Sequence, residues 1–211
     1  MSSPTDTDVN PLPGYAPPDG ADLQLRCASP KGWLDCVLAD FDTFLIDHAS
    51  CEKKASGMAM SILSHYPDKP LLIREMLNLA VEELSHFRDV MRLVLERGLT
   101  PTPDTRDDYV NQLRKQMDQG KEGYMLDRLL VGAIVEARGA ERFGMIAGAL
   151  PEGRLQRFYQ AITDSESRHY MLFLNLARQL CEPALIAPRL DTLLDAEAHI
   201  LLSLPFKAAL H

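Results

Sequence analysis

The chain has 211 residues, 46% of them hydrophobic, and a formal net charge of -8. That length predicts one domain with a sizeable core, and the absence of any run of eighteen apolar residues excludes a helical membrane span. Aromatic residues are few, Met is plentiful and no long Val/Ile/Thr alternation occurs, so the composition predicts an all-α protein.

The acidity is uneven. Residues 1–50 carry eight Asp and two basic residues, which leaves the remainder close to neutral and able to carry a local basic face. Residues 1–28 are rich in Pro, Asp, Ser and Gly and read as an irregular arm preceding a domain at 29–211. The N-terminus has no basic stretch leading an apolar core, so a cytoplasmic location is expected. Cys27, Cys36, Cys51 and Cys181 show no Cys-x-x-Cys spacing and read as free thiols rather than a zinc ribbon or redox pair.

Ser29-Pro30 reads as a helix entry, with Ser as cap and Pro at the first position. The stripe that follows is Leu34, Leu38, Phe41, Leu45, His48, Glu52, Ala55, Ala59 and Ile62, in steps of three and four. It predicts one helix ending before Pro67, with Glu52 where a hydrophobe belongs. Asp68 and Pro70 predict the next start. Its stripe is Leu72, Met76, Leu79, Glu83, His86, Val90 and Leu93, with Gly98 as the stop.

Residues 99–121 form a long connection, with a short helix expected within Asp107 to Asp118. The third helix is expected from about Glu122 to Gly148, with the stripe Leu126, Leu129, Ala133, Glu136, Ala140, Phe143 and Ala147. Small residues beside Glu136 leave room for a close helix or a substrate. The fourth is expected from Pro151 to Pro183, with the stripe Leu155, Tyr159, Ile162, Glu166, His169, Phe173, Leu176 and Leu180. A last amphipathic helix is expected over about 190–204.

Two of these stripes contain Glu-x-x-His, at Glu83/His86 and Glu166/His169. Each follows a solitary Glu, Glu52 or Glu136, by about thirty residues. Residues i and i+3 share a helix face, so each motif aims a carboxylate and an imidazole at one point. Six polar side chains in apolar seams need a partner, and the seams contain no Lys or Arg. Metal binding is therefore expected, at four Glu and two His, with Glu83 and Glu166 bridging two ions. Carboxylates with imidazoles suit Fe or Mn. The same inward-facing set on four helices with one long crossover is the ferritin-like four-helix bundle, here with additional short helices.

His48, one turn before Glu52, reads either as a hydrogen-bonded core residue or as a group orienting the site. Glu82 and Arg168 adjoin ligands and can orient them. Glu141 lies about 140° round the helix from Glu136 and is not expected to ligate. Tyr159 reads as a packed core residue.

Glu52-Lys53-Lys54-Ala55, Glu82-Glu83-Leu84-Ser85-His86-Phe87 and the run Glu136-Ala137-Arg138-Gly139-Ala140-Glu141-Arg142-Phe143 resemble the tRNA 2-methylthio-isopentenyladenosine hydroxylases. The resemblance covers about residues 25–200. It implies a non-haem di-iron monooxygenase that uses O2 to hydroxylate the isopentenyl group of a modified adenosine next to the tRNA anticodon. Two external electrons are then required. The chain has no flavin or nicotinamide fingerprint, so a separate reductase or ferredoxin is the expected partner. Lys53, Lys54, Arg138 and Arg142, flanking Glu52 and Glu136, are the expected phosphate contacts; ordinary solvated helix charge is the competing reading. Competing functions are a ferritin-like oxidase or peroxidase acting on a small molecule or peroxide, iron storage, and a non-catalytic helical scaffold.

Overall fold

The computed structural model describes residues 23–120 and 123–211. Among these, seven helices and no strand occur. Four long ones make the bundle: α2 (Phe41–His65), α3 (Pro70–Glu96), α5 (Tyr124–Ala149) and α6 (Arg154–Leu180). α2 packs chiefly on α3 and α5 on α6, and the two hairpins meet through α3 and α6. Residues 97–123 cross from one hairpin to the other and contain α4 (Asp108–Lys115). This is the expected ferritin-like arrangement, all-α with one long crossover. α1 (Lys31–Ala39) and α7 (Pro183–Ser203) complete it, and α7 packs across α4, α5 and α6.

The first expected helix is broken in two. Asp40 leaves helical geometry at φ -137 and ψ 64, and its carboxylate accepts from the Thr43 N–H to cap α2. The change of direction buries Trp33 and Val37 of α1, whereas Leu38 of the expected stripe is 40% exposed. Ser29 is not a helix cap; its N–H and hydroxyl both donate to Glu141.

Asp68 does not cap α3: the cap position is Lys69, with no side-chain hydrogen bond, although Pro70 stands in the first turn as expected. Gly98 takes φ 72 at the end of α3, where the Leu99 N–H reaches back to the Val94 carbonyl. Asp107 caps α4 by accepting from Val110. The expected start of the third helix at Glu122 lies outside the described residues. The fourth begins at Arg154 rather than Pro151, which sits before the turn. The last begins at Pro183, earlier than expected, because proline is at home in a first helical turn. Of the expected arm, residues 23–28 are described. They have no helix, and Leu23 is buried against the core while Arg26 pairs with Asp191 and Asp195 of α7.

α5 is the most enclosed element. Around it lie α6, α7, α1 and α4, and it is buried on almost every side, charged residues included. A Cβ on Gly132 would stand 3.0 Å from the Phe173 ring, so glycine there lets α5 and α6 approach closely.

Candidate metal centre

Glu52 on α2, Glu83 and His86 on α3, Glu136 on α5, and Glu166 and His169 on α6 converge between the two hairpins. Two groups of donor atoms form, each within 4.8 Å of one another. One is Glu52, Glu83, His86 and Glu166; the other is Glu83, Glu136, Glu166 and His169. The two Glu-x-x-His carboxylates belong to both groups. Each group also has one histidine and one solitary glutamate of its own.

All six are buried or nearly so; His86 retains 14% side-chain exposure. Nδ1 of His86 lies 3.4 Å from Glu83, 3.7 Å from Glu52 and 3.8 Å from Glu166. Nδ1 of His169 lies 2.8 Å from Glu83 and 3.2 Å from Glu166. Both imidazoles therefore aim the same nitrogen at the shared carboxylates.

Burial opposes charge on each histidine, yet the surrounding carboxylates outweigh it. His86 is raised to about 10 by Glu52 and Glu83, and His169 to about 12 by Glu166 and Glu83. Burial also resists ionisation of Glu52, but contacts with His48 and His86 hold it down at about 2. Burial, with the neighbouring charges of Glu166 and Glu83, pushes Glu136 well above the usual carboxylate range. Protons thus stand in for the positive charge that this concentration of acids requires.

The residues fit a metal pair. Glu83 Oε1 and Oε2, Glu166 Oε1, His86 Nδ1 and His169 Nε2 are buried without a hydrogen-bond partner. Glu83 approaches His169 to 2.8 Å but not along a hydrogen-bonding direction. Crowded, unsatisfied oxygens and nitrogens cost several kcal/mol in a core; a shared cation satisfies the Glu83 and Glu166 oxygens and Nδ1 of His86, while Nε2 of His169 faces Glu82. Four carboxylates with two imidazoles and no thiolate suit iron or manganese.

A supporting layer holds these groups. Nε2 of His48 lies 2.5 Å from Glu52 Oε1, and its Nδ1 is 3.2 Å from the Tyr159 hydroxyl. Glu82 accepts from Ser165 Oγ and Arg168, and its other oxygen lies 3.4 Å from Nε2 of His169. A carboxylate beside Nε2 favours the proton there and leaves Nδ1 facing the cluster. Arg168 reaches the site only through Glu82.

The expected phosphate contacts divide. Lys53 is exposed and pairs with Asp104, while Lys54 donates to the Thr105 carbonyl and lines the cavity described below. Arg138 and Arg142 do not face solvent, at 0% and 4% exposure. Arg138 pairs with Glu141 and with Glu197 of α7. Arg142 donates to Ser29 and to the Leu210 carbonyl and covers the Trp33 ring. Their assignment to RNA is corrected: α5 is enclosed on the side where a two-faced helix would meet water. Sequence reading missed this network, although Glu197 interrupts the α7 stripe Leu190, Leu193, Leu194, Ile200, Leu201 just as the cluster residues interrupt theirs.

A cavity of about 530 Å³ opens beside the cluster. Glu52, Glu83, Glu136 and Glu166 line one part of it, and Met58, Val131, Val135 and Phe143 give apolar walls. The small residues flanking Glu136, Gly132 and Gly139 among them, widen it.

A bundle of this topology with carboxylates and imidazoles directed to its centre defines a ferritin-like protein. The family model described as tRNA-(MS[2]IO[6]A)-hydroxylase (MiaE) matches residues 20–211. The tRNA 2-(methylsulfanyl)-N(6)-isopentenyladenosine(37) hydroxylase of Pseudomonas putida is 38% identical over 182 residues, 86% of this chain and 88% of that protein. The protein of the same name from Salmonella typhimurium is 35% identical over 132 residues, 63% of this chain and 48% of its own length. Among solved structures, Protein 43 with aldehyde deformylating oxygenase activity from Synechococcus superposes with a TM-score of 0.83 at 34% identity, covering 89% of this chain and 94% of that one. The chain belongs to the tRNA-(MS[2]IO[6]A)-hydroxylase (MiaE) family.

Proposed function

We propose that the protein is a di-iron monooxygenase that hydroxylates the isopentenyl group of 2-methylthio-isopentenyladenosine next to the tRNA anticodon. The observation that carries the metal half of this reading is the pair of donor groups sharing Glu83 and Glu166. Family membership and the relatives' names support the substrate half.

Glu52, Glu83, His86, Glu136, Glu166 and His169 would hold two iron ions, Glu83 and Glu166 being common to both donor groups. Bound iron supplies activation of O2, which side chains cannot provide. The remaining work falls to the protein. His48 and Tyr159 orient Glu52, and Glu82, held by Ser165 and Arg168, orients His169. The apolar walls of the cavity hold the prenyl chain beside Glu136 and exclude water. Lys53 and Lys54 are the phosphate contacts retained from the first set of four. Electrons come from a separate reductase or ferredoxin. No described helix is long and apolar enough to cross a membrane; the cytoplasmic location rests on the proposed work on tRNA.

A second reading has one observation behind it. The Synechococcus protein, named for aldehyde deformylating oxygenase activity, has nearly the whole of this fold. On that reading a small apolar molecule fills the cavity. Deleting the gene separates the two. The tRNA reading expects hydroxylated prenyl-adenosine to vanish from total tRNA hydrolysates while its precursor accumulates. An unchanged nucleoside profile favours the small molecule.

A further inference from the structure

Away from the carboxylate cluster, the cavity is lined by Asp107, which pairs with His211, and by four cations whose partners differ. Arg106 pairs with Asp108 at 3.2 Å, and Lys54 is held by a carbonyl. Arg114 and Arg128 line the same cavity, and among the described residues neither makes an ion pair. Arg128 is the more telling. Its Nη2 donates to Ser61 Oγ at 3.2 Å, but its Nη1 is buried with no hydrogen-bond partner. The guanidinium stands 5.8 Å from the centroid of the Tyr124 ring. Burial lowers its pKa, and the charge of Arg114 acts in the same direction.

An arginine held half out of water with an unsatisfied N–H and a second arginine nearby lacks one thing, an anionic acceptor. A planar guanidinium suits the oxygens of a phosphate, which it grips with two parallel N–H bonds. Ser61, Tyr124, Arg114 and Arg128 line the cavity that also reaches Glu136 and Glu166. A ligand seated there would present an anion to the arginines and an apolar group to the carboxylate cluster. A prenylated nucleotide within RNA has that polarity, whereas an uncharged small molecule leaves Arg128 unsatisfied.

We propose that Arg128, assisted by Arg114, is a phosphodiester-binding site that seats the modified nucleotide with its prenyl group towards the carboxylate cluster. This rests on the function proposed above and names the residues that recognise the RNA backbone. Tyr124 lines the same cavity beside Arg128. The contact positions the substrate and does not take part in oxygen transfer.

The test uses full-length, iron-loaded protein and an anticodon stem-loop RNA carrying the prenylated adenosine. Dissociation constants are read by fluorescence anisotropy over a range of salt, beside hydroxylation of the same RNA with reductant and O2. Arg128→Met is expected to weaken RNA binding about tenfold and to flatten the salt dependence by about one unit of slope. Its KM should rise while kcat changes little. Arg128→Lys, which keeps the charge without the planar fork, should fall between. The free nucleoside, which has no phosphate, should bind wild type and Arg128→Met alike. Unchanged RNA affinity and salt slope in both Arg128→Met and Arg114→Met, at wild-type melting temperature, would overturn the inference alone. Failure of the wild type to hydroxylate the RNA would instead overturn the proposed function.

Discussion

Nδ1 of His169 lies 2.8 Å from Oε1 of Glu83, which joins the two Glu-x-x-His motifs across the hairpin interface. The contact is close but is not a hydrogen bond. A shared metal would account for such an approach, and would make metal retention depend on both motifs together. The wild type is expected to bind about two iron ions per chain and Glu83→Ala and His169→Ala each to lose most of them, a loss typical of removing a ligand from a metal site. Elemental analysis of purified variants checks this. Stoichiometric iron in both would remove the assignment.

Acid–base behaviour should differ between metal-free and metal-loaded protein. In the metal-free protein His86 is raised to about 10 and His169 to about 12 by their carboxylate neighbours. Each imidazolium therefore contributes stability in full below its unfolded value near 6.5. That contribution is lost progressively as pH rises towards 10 for His86 and 12 for His169. Metal binding requires neutral imidazoles, so it should release protons at neutral pH, and iron affinity should rise with pH. Thermal melts from pH 6 to 10, with and without metal, read the first effect; a pH indicator during Fe(II) addition reads the second. Alkaline destabilisation that is equal in the two forms would contradict the account.

Arg138 is fully buried between Glu141 and Glu197. The two acids raise its pKa against the opposing effect of burial. Removing it leaves two buried carboxylates without their paired charge, held only by neutral donors, Ser29 for Glu141 and Tyr109 for Glu197. Arg138→Met is therefore expected to cost about 3–5 kcal/mol in denaturant unfolding, and adding Glu141→Gln and Glu197→Gln should recover much of that. A loss below about 1 kcal/mol would show that the network is not buried as described. Because Arg138 does not reach solvent, the milder Arg138→Lys should leave the salt dependence of RNA binding unchanged.

The bundle and its six central residues were legible because each polar intruder interrupts a regular apolar seam. Period and spacing carry that information directly. The break at Asp40 was hidden because Leu34, Leu38, Phe41 and Leu45 continue the helical period through it; only the aspartate's capping of Thr43 ends one helix and starts the next. Arg138 and Arg142 were read as solvated because an amphipathic helix has one wet face. α5 has almost none, since α7 and α1 cover what α6 leaves open. Enclosure by distant elements is a tertiary fact that local periodicity does not encode, though the isolated Glu197 in the α7 seam was a readable sign of a buried cationic partner.

The central claim is transfer of an oxygen atom from O2 to the prenyl group of a tRNA nucleoside. Its most direct test supplies purified iron-loaded protein, a chemical or ferredoxin reductant and tRNA bearing 2-methylthio-isopentenyladenosine under 18O2, with mass spectrometry of the digested nucleosides. The account predicts one labelled oxygen in the isopentenyl chain, dependent on iron and absent in Glu83→Ala. An unmodified nucleoside in every condition, or an added oxygen that carries the label of water instead of O2, would contradict it.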